Sequence, residues 1–264
     1  MVKRIFCSLL VLFPLISTAQ SQDESFFSLT LAGGITGAST TSNSNEIAVY
    51  ANSQTFKQYN DSVQKFNTPR FNFGATIWYN HFLADKLFLQ TGIGYMDMGY
   101  RREQNNLQLG DFTYPGLATG KIIEKTNVTR NINYDYRFHY LNIPLFLNYS
   151  IYKSKNLKTN IAIAGGVNTN FLLKHNLVAR LDNFKLDDKE TFTFDSTGYD
   201  ARTFSIQLSV GAKLMQRIDK HITLQVQPMF NYHPLSATNE PVMVNMYGFM
   251  LNLGVVVSLD MFDE

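Results

Sequence analysis

Apolar and polar residues alternate with a period of two through several stretches of the chain, the pattern of β-strands that set one face against an apolar medium. In "NMYGFMLNLGVVVSL" the positions Tyr247, Phe249, Leu251, Leu253, Val255, Val257 and Leu259 are apolar, while Gly248, Met250, Asn252, Gly254 and Ser258 lie on the alternate face. "TFSIQLSVGAKL" sets Phe204, Ile206, Leu208, Val210, Ala212 and Leu214 against Ser205, Gln207, Ser209, Gly211 and Lys213. "HITLQVQPMFNYH" sets Ile222, Leu224, Val226, Phe230 and Tyr232 against Thr223, Gln225, Gln227 and Asn231. Weaker versions run through 27–35, 70–80, 86–100, 139–152 and 160–173, so the alternation predicts eight strands.

The connections fall into two classes that take turns along the chain. Short turns are expected at 84–86, 153–158 and 218–220, and long polar insertions at 39–68, 101–133 and 175–201, with a shorter one at 234–243. Tight turns at one end and long loops at the other are the asymmetry of an outer-membrane barrel, with the turns in the periplasm and the loops outside. With an even strand number, both termini fall at the periplasmic end. The first insertion is rich in Ser, Asn, Gln and Thr and predicts no element; the second and third carry alternation of their own that extends the strands.

The make-up of the two faces orients the wall. A soluble barrel would turn its polar face outward and needs charges there, yet this face is Gly, Ser, Thr, Asn and Gln, with Lys213 nearly its only central charge. Such a face suits the inside of a narrow barrel, where about eight strands leave room only for side chains. The interior candidates are therefore Asn142, Pro144, Asn148, Gln207, Lys213, Gln225, Gln227 and Asn252. Outside, aromatics gather towards the strand ends, with Tyr95, Phe138, Phe171, Phe230, Tyr232, Tyr247 and Phe249 near the loops and Tyr79, Phe82, Tyr149 and Phe262 near the turns. Aliphatic residues fill the middle, the girdle arrangement of a membrane interface.

Composition adds an export signal and removes several function classes. Lys3 and Arg4 precede the apolar run "IFCSLLVLFPLI" and the small residues "STA", which reads as a signal peptide over 1–19 and a barrel domain over 20–264. Cys7 is the only cysteine and lies early in that run, away from a lipidation site, so the exported chain has no thiol for zinc, catalysis or disulfides. Export also removes two of the 23 Lys and Arg, leaving 21 against 21 Asp and Glu, and nothing recommends a nucleic-acid partner. No later stretch approaches the roughly 20 apolar residues of a membrane helix.

Motifs for chemistry are few. The glycine pairs in "AGGITGAS" and "GIGYMDMG" lack the lysine and helix of a phosphate loop. His81, His139, His175, His221 and His233 show no metal-ligand spacing. Asp182, Asp187, Asp188, Glu190 and Asp195 gather in one loop, but without the glycine and ligand alternation of a calcium loop. No catalytic group, metal or cofactor is assigned.

"FNFGATIWYNHFLADKLFLQTGIGYMDMGY" and "YLNIPLFLNY" resemble a hairpin and an aromatic-Leu-x-Ile-Pro-Leu strand of the PorT-like outer-membrane β-barrel proteins of Bacteroidota, within the wider small-porin, OmpA/OmpX-like group. The resemblance covers about 25–260 and implies an eight-stranded antiparallel up-and-down transmembrane barrel in the cell outer membrane. It also implies outer-membrane lipid and the barrel-assembly machinery as partners. The expected role is non-enzymatic binding or structure through the long loops, with an extracellular ligand as partner. The alternatives are an accessory of type IX or gliding-type secretion, with secretion-system proteins as partners, a small-solute pore, and a lipid-modifying enzyme. Asp61-Ser62-Val63 looks like the O-glycosylation acceptor of such bacteria, making Ser62 a candidate site. In the I-P-L strand, Pro144 lacks an N–H and should break the ladder beside it, at a bulge or beside a lumen side chain.

Overall fold

A sheet made of period-two strands leaves two edges of unpaired backbone groups, and in lipid no water can satisfy them, so the sheet must close on itself. The computed structural model describes residues 25–46, 55–108, 129–155, 158–182, 189–219, 222–239 and 241–258. The strands are β1 (Ser25–Thr41), β2 (Asn67–Ala84), β3 (Leu87–Gln108), β4 (Thr129–Lys153), β5 (Thr159–Asp182), β6 (Lys189–Phe194), β7 (Phe204–Arg217), β8 (Ile222–Tyr232) and β9 (Met243–Ser258). Eight of them pair antiparallel to their chain neighbours and β1 closes on β9, giving an up-and-down transmembrane barrel. The ninth, β6, folds back on the far end of β5 outside the ring. The expected signal peptide over 1–19, Phe262, Asp187 and Asp188 lie outside the described residues.

The expected alternation is visible in burial. Leu31, Phe71 and Phe249 on the outer wall are 64%, 66% and 63% exposed, and they belong to a continuous apolar belt. The belt runs through 27–35, 71–79, 89–95, 141–151, 163–173, 204–214, 222–232 and 247–255. A surface this large and this apolar belongs in lipid. All of these segments but the shorter 89–95 run nine to eleven residues, the span of a transmembrane strand.

The interior is less uniformly polar than the alternation implied. Phe88, Ala162 and Met215 form a layer near the turn end, and Trp78, Phe146, Ala164 and Met229 one in the middle. Met96, Met98, Tyr100, Tyr136, Phe138, Tyr140, Val244 and Met246 form a third towards the long connections. Two aromatics expected on the lipid face belong to this inner packing. Phe138 is fully buried and stacks beside Tyr140, and Phe82 packs on Phe88. Both have even numbers on strands whose odd positions face lipid, so the pleat sends them inward.

At the long-connection end β3 and β4 extend over 101–108 and 129–133, and β5 and β6 over 175–182 and 189–194, the extension expected of the second and third insertions. The first insertion, for which no element was predicted, contains α1 (Phe56–Val63) and a short 3₁₀ turn (Gln64–Phe66). α1 starts at a capping box in which the Thr55 hydroxyl accepts from the Gln58 N–H while the Gln58 side chain accepts from the Thr55 N–H. Asn60 Nδ2 ties the helix to the β1 end by donating to the Thr40 carbonyl at 2.9 Å.

Pro144 sits at a ladder break, but of a different kind from the one anticipated. Pairing of β3 with β4 runs to Thr91 and Leu145 and resumes at Gly94 and Asn142 in the same register, so there is no bulge. Pairing with β5 continues through Pro144 and Asn168, which places the missing N–H on the β3 side. Opposite the proline, Gly92 brings β3 so close to β2 that a Cβ there would meet the Ile77 carbonyl oxygen at 2.2 Å. The proline's own carbonyl accepts from the Thr91 hydroxyl at 2.9 Å. Pro228 repeats the device, since pairing of β7 with β8 lapses between Gly211–Met229 and Leu214–Val226 and resumes in register. Pro69 instead marks a register shift between β2 and β3.

Candidate functional site: the lumen and its long-connection mouth

Seven of the eight interior candidates have inward positions at which side-chain atoms are buried or nearly so, and their bonds divide into small groups. Asn142 Nδ2 donates to Asn170 Oδ1 at 2.7 Å. Asn168 Nδ2 and Gln207 Nε2 both donate to Ser209 Oγ, at 2.8 and 3.2 Å, and that hydroxyl donates to Asn231 Oδ1 at 2.7 Å. Lys213 reaches from β7 past β5 and β4 to Gln90 on β3, where Nζ donates to Oε1 at 2.7 Å, and Asn148 Nδ2 approaches the same oxygen at 3.4 Å. The ammonium also lies 5.3 Å from the Phe88 ring centre. Gln227 Nε2 contacts Met229 Sδ at 3.3 Å, whereas both amide atoms of Gln225 are buried without partners. Pro144 is buried in the wall, and Asn252 is the partly exposed member.

These groups leave little space. Asn142, Asn168, Gln207, Ser209, Asn231 and Asn252 line an inner cavity of ≈ 20 Å³, enough for about one water. Lys213 has no ion-pair partner among the described residues, so its charge is met only by amide and aromatic dipoles. The remaining candidate, Ser62, stands exposed on α1 at the long-connection end, its hydroxyl donating to the Tyr59 carbonyl at 2.6 Å.

Above the belt the wall carries charges that the strand-by-strand reading assigned to loops. On its outer side Asp135 is buried under three arginines, with Arg101 Nε at 2.7 Å, Arg180 Nη1 at 3.0 Å and Arg137 Nη2 at 3.6 Å. Burial acts to raise the Asp135 carboxyl, but the Arg101 hydrogen bond and the charges of Arg101, Arg180 and Arg70 outweigh it and hold the group below the usual carboxylate range. Arg70 grips the buried Asp97 through both terminal nitrogens, at 3.1 and 2.6 Å. Tyr95 OH, His139 and Asn176 form a short chain beside them, at 2.6 and 2.9 Å.

The inner side at this height is aromatic. Tyr100 and Tyr136 stack with ring centres 4.6 Å apart, and Tyr199 stacks on Tyr136 at 5.5 Å. Against this stack lies Arg102, only 2% exposed. Arg102 Nε donates to Asn67 Oδ1 at 3.1 Å, Nη1 lies 3.5 Å from the Tyr136 hydroxyl, and the guanidinium carbon is 5.4 Å from the Tyr136 ring centre. The alternate face of "YMDMGYRR" held the signal for this site, because Met96, Met98, Tyr100 and Arg102 continue one inward series; a charged residue at its end reads as loop.

A family model described as outer membrane protein beta-barrel domain matches residues 18–236. Among solved structures the chain is similar to neisserial surface protein A, at 12% identity over 88% of this chain and 97% of that one, with a TM-score of 0.42. It is similar also to the outer membrane protein OprG of Pseudomonas aeruginosa, at 11% identity over 88% and 96% with a TM-score of 0.41. A third is the outer membrane protease OmpT of Escherichia coli, at 11% identity over 92% and 100% with a TM-score of 0.39. No curated protein matches the chain in sequence.

Proposed function

The chain belongs to this family of outer-membrane β-barrel proteins, and on that premise we propose that it is a closed, non-enzymatic barrel that binds a ligand or partner at its long-connection end, which faces outside the cell. The observation that carries this reading is the contrast between the two halves of the molecule. Within the belt, inward side chains close around a cavity of ≈ 20 Å³ and Lys213 reaches across the lumen to Gln90, which supports a closed barrel over a pore. Beyond the belt β3, β4 and β5 continue into a charged and aromatic wall that the membrane span does not need. Binding groups carried above a rigid scaffold are a common use of such architecture.

Two measurements test the reading. A cysteine placed by Ser62→Cys should react with a membrane-impermeant maleimide on intact cells, and the purified protein should give no steady openings in planar bilayers. Protection of position 62 would turn this end inward, and ohmic conductance would replace binding by permeation.

A further inference from the structure

A guanidinium out of water normally keeps a counter-charge, because desolvating it alone costs far more than amide or hydroxyl contacts return. Arg102 lacks one among the described residues. Its ε and η1 nitrogens meet an amide oxygen and a phenol, the Tyr59 phenol lies close to the guanidinium, and Nη2 is buried without a well-aligned hydrogen bond among the described residues. The surrounding phenols do not supply the missing charge. Burial pushes the hydroxyls of Tyr100 and Tyr136 well above their usual range, and that of Tyr59 upward, so all three stay neutral and present O–H donors. The Tyr100 hydroxyl is itself buried beside Tyr199 and makes no well-aligned hydrogen bond among the described residues.

The residues around Arg102 come from separate parts of the chain. Tyr59 belongs to α1, Asn67 to β2, Tyr100 and Arg102 to β3, Tyr136 to β4, and Tyr199 to the connection between β6 and β7. We propose that this cluster is a binding site for an oxyanion, a phosphate or sulfate group carried by the ligand of the long-connection end, held by the Arg102 fork and the Tyr100 hydroxyl. An arginine edge and a hydroxyl match oxygens spread around a phosphorus or sulfur better than a spherical halide. The anion would also give the buried guanidinium the opposite charge that no described residue supplies. The inference rests on the reading of this end as a binding surface.

The test uses the full chain in detergent micelles, titrated with inorganic phosphate, inorganic sulfate, acetate or chloride at equal ionic strength, with the unfolding midpoint as readout. Phosphate or sulfate should raise the midpoint saturably over chloride, and Arg102→Gln should abolish the rise. Because that variant could fail to fold, Tyr100→Phe, which removes one hydroxyl, should weaken the apparent affinity by about fivefold or more, the loss of one charge-assisted bond. Arg217→Gln, exposed at the opposite, turn end of β7, should respond as the wild type does. No saturable rise in the wild type, an equal rise in Arg102→Gln, or an equal response to acetate overturns the proposal. The maleimide reaction at position 62 reads the orientation separately, so failure of one experiment does not imply failure of the other.

Discussion

Lys213 and Gln90 meet across the lumen at 2.7 Å, joining β7 to β3 through a buried ammonium. The pair is asymmetric, because the ammonium carries the charge and the amide carries the compensation. Gln90→Leu should therefore destabilise the barrel by about 2–3 kcal/mol, leaving a buried charge without its acceptor. Lys213→Met removes charge and demand together and should stay within about 1 kcal/mol of wild type, or exceed it. Urea unfolding in micelles ranks the two, and a larger loss for Lys213→Met would contradict the assignment.

Thr91 is the side chain that answers the Pro144 carbonyl where the ladder lapses. Thr91→Val keeps the shape and deletes the donor, and should cost about 1 kcal/mol in the same assay. An unchanged midpoint would mean that the carbonyl finds another donor.

Asp135 gives the outer wall an acid-sensitive joint. Its folded-state pKa lies below the ordinary value of 3.8, so its contribution is fully present above that value and is lost as pH falls through the lowered one. Stability measured from pH 6 downward should drop more steeply for wild type than for Asp135→Asn over that acid range, with the mutant already weaker at neutral pH. Parallel curves would remove the three-arginine cluster from the account.

Leu253 lies on the lipid belt at 51% exposure. Leu253→Arg should lower stability by about 2–4 kcal/mol in bilayers if that position is near the midplane. A neutral result would require the belt to be placed elsewhere.

Much of the wall was legible because period two is a local property. Pleated strands send Leu251, Leu253 and Val255 one way and Met250 and Asn252 the other, whatever the rest of the chain does. The reading failed where the phase changes or the partner is distant. On β5, Tyr140 pairs with Leu172 but His139 with Lys174, so Leu173 is an extra residue and the strand beyond it turns its even positions outward. That shift places Arg180 beside Asp135.

By itself, the sequence determined the eight strands of the ring and most of their lipid-facing positions, because each depends on residues within a few positions of one another. Tertiary structure alone decided that Lys213 bonds Gln90, that Thr91 serves Pro144, and that Tyr59, Asn67, Tyr100, Tyr136 and Tyr199 enclose Arg102. Those contacts follow from ring closure, register and one inserted residue, which join segments that no local pattern connects.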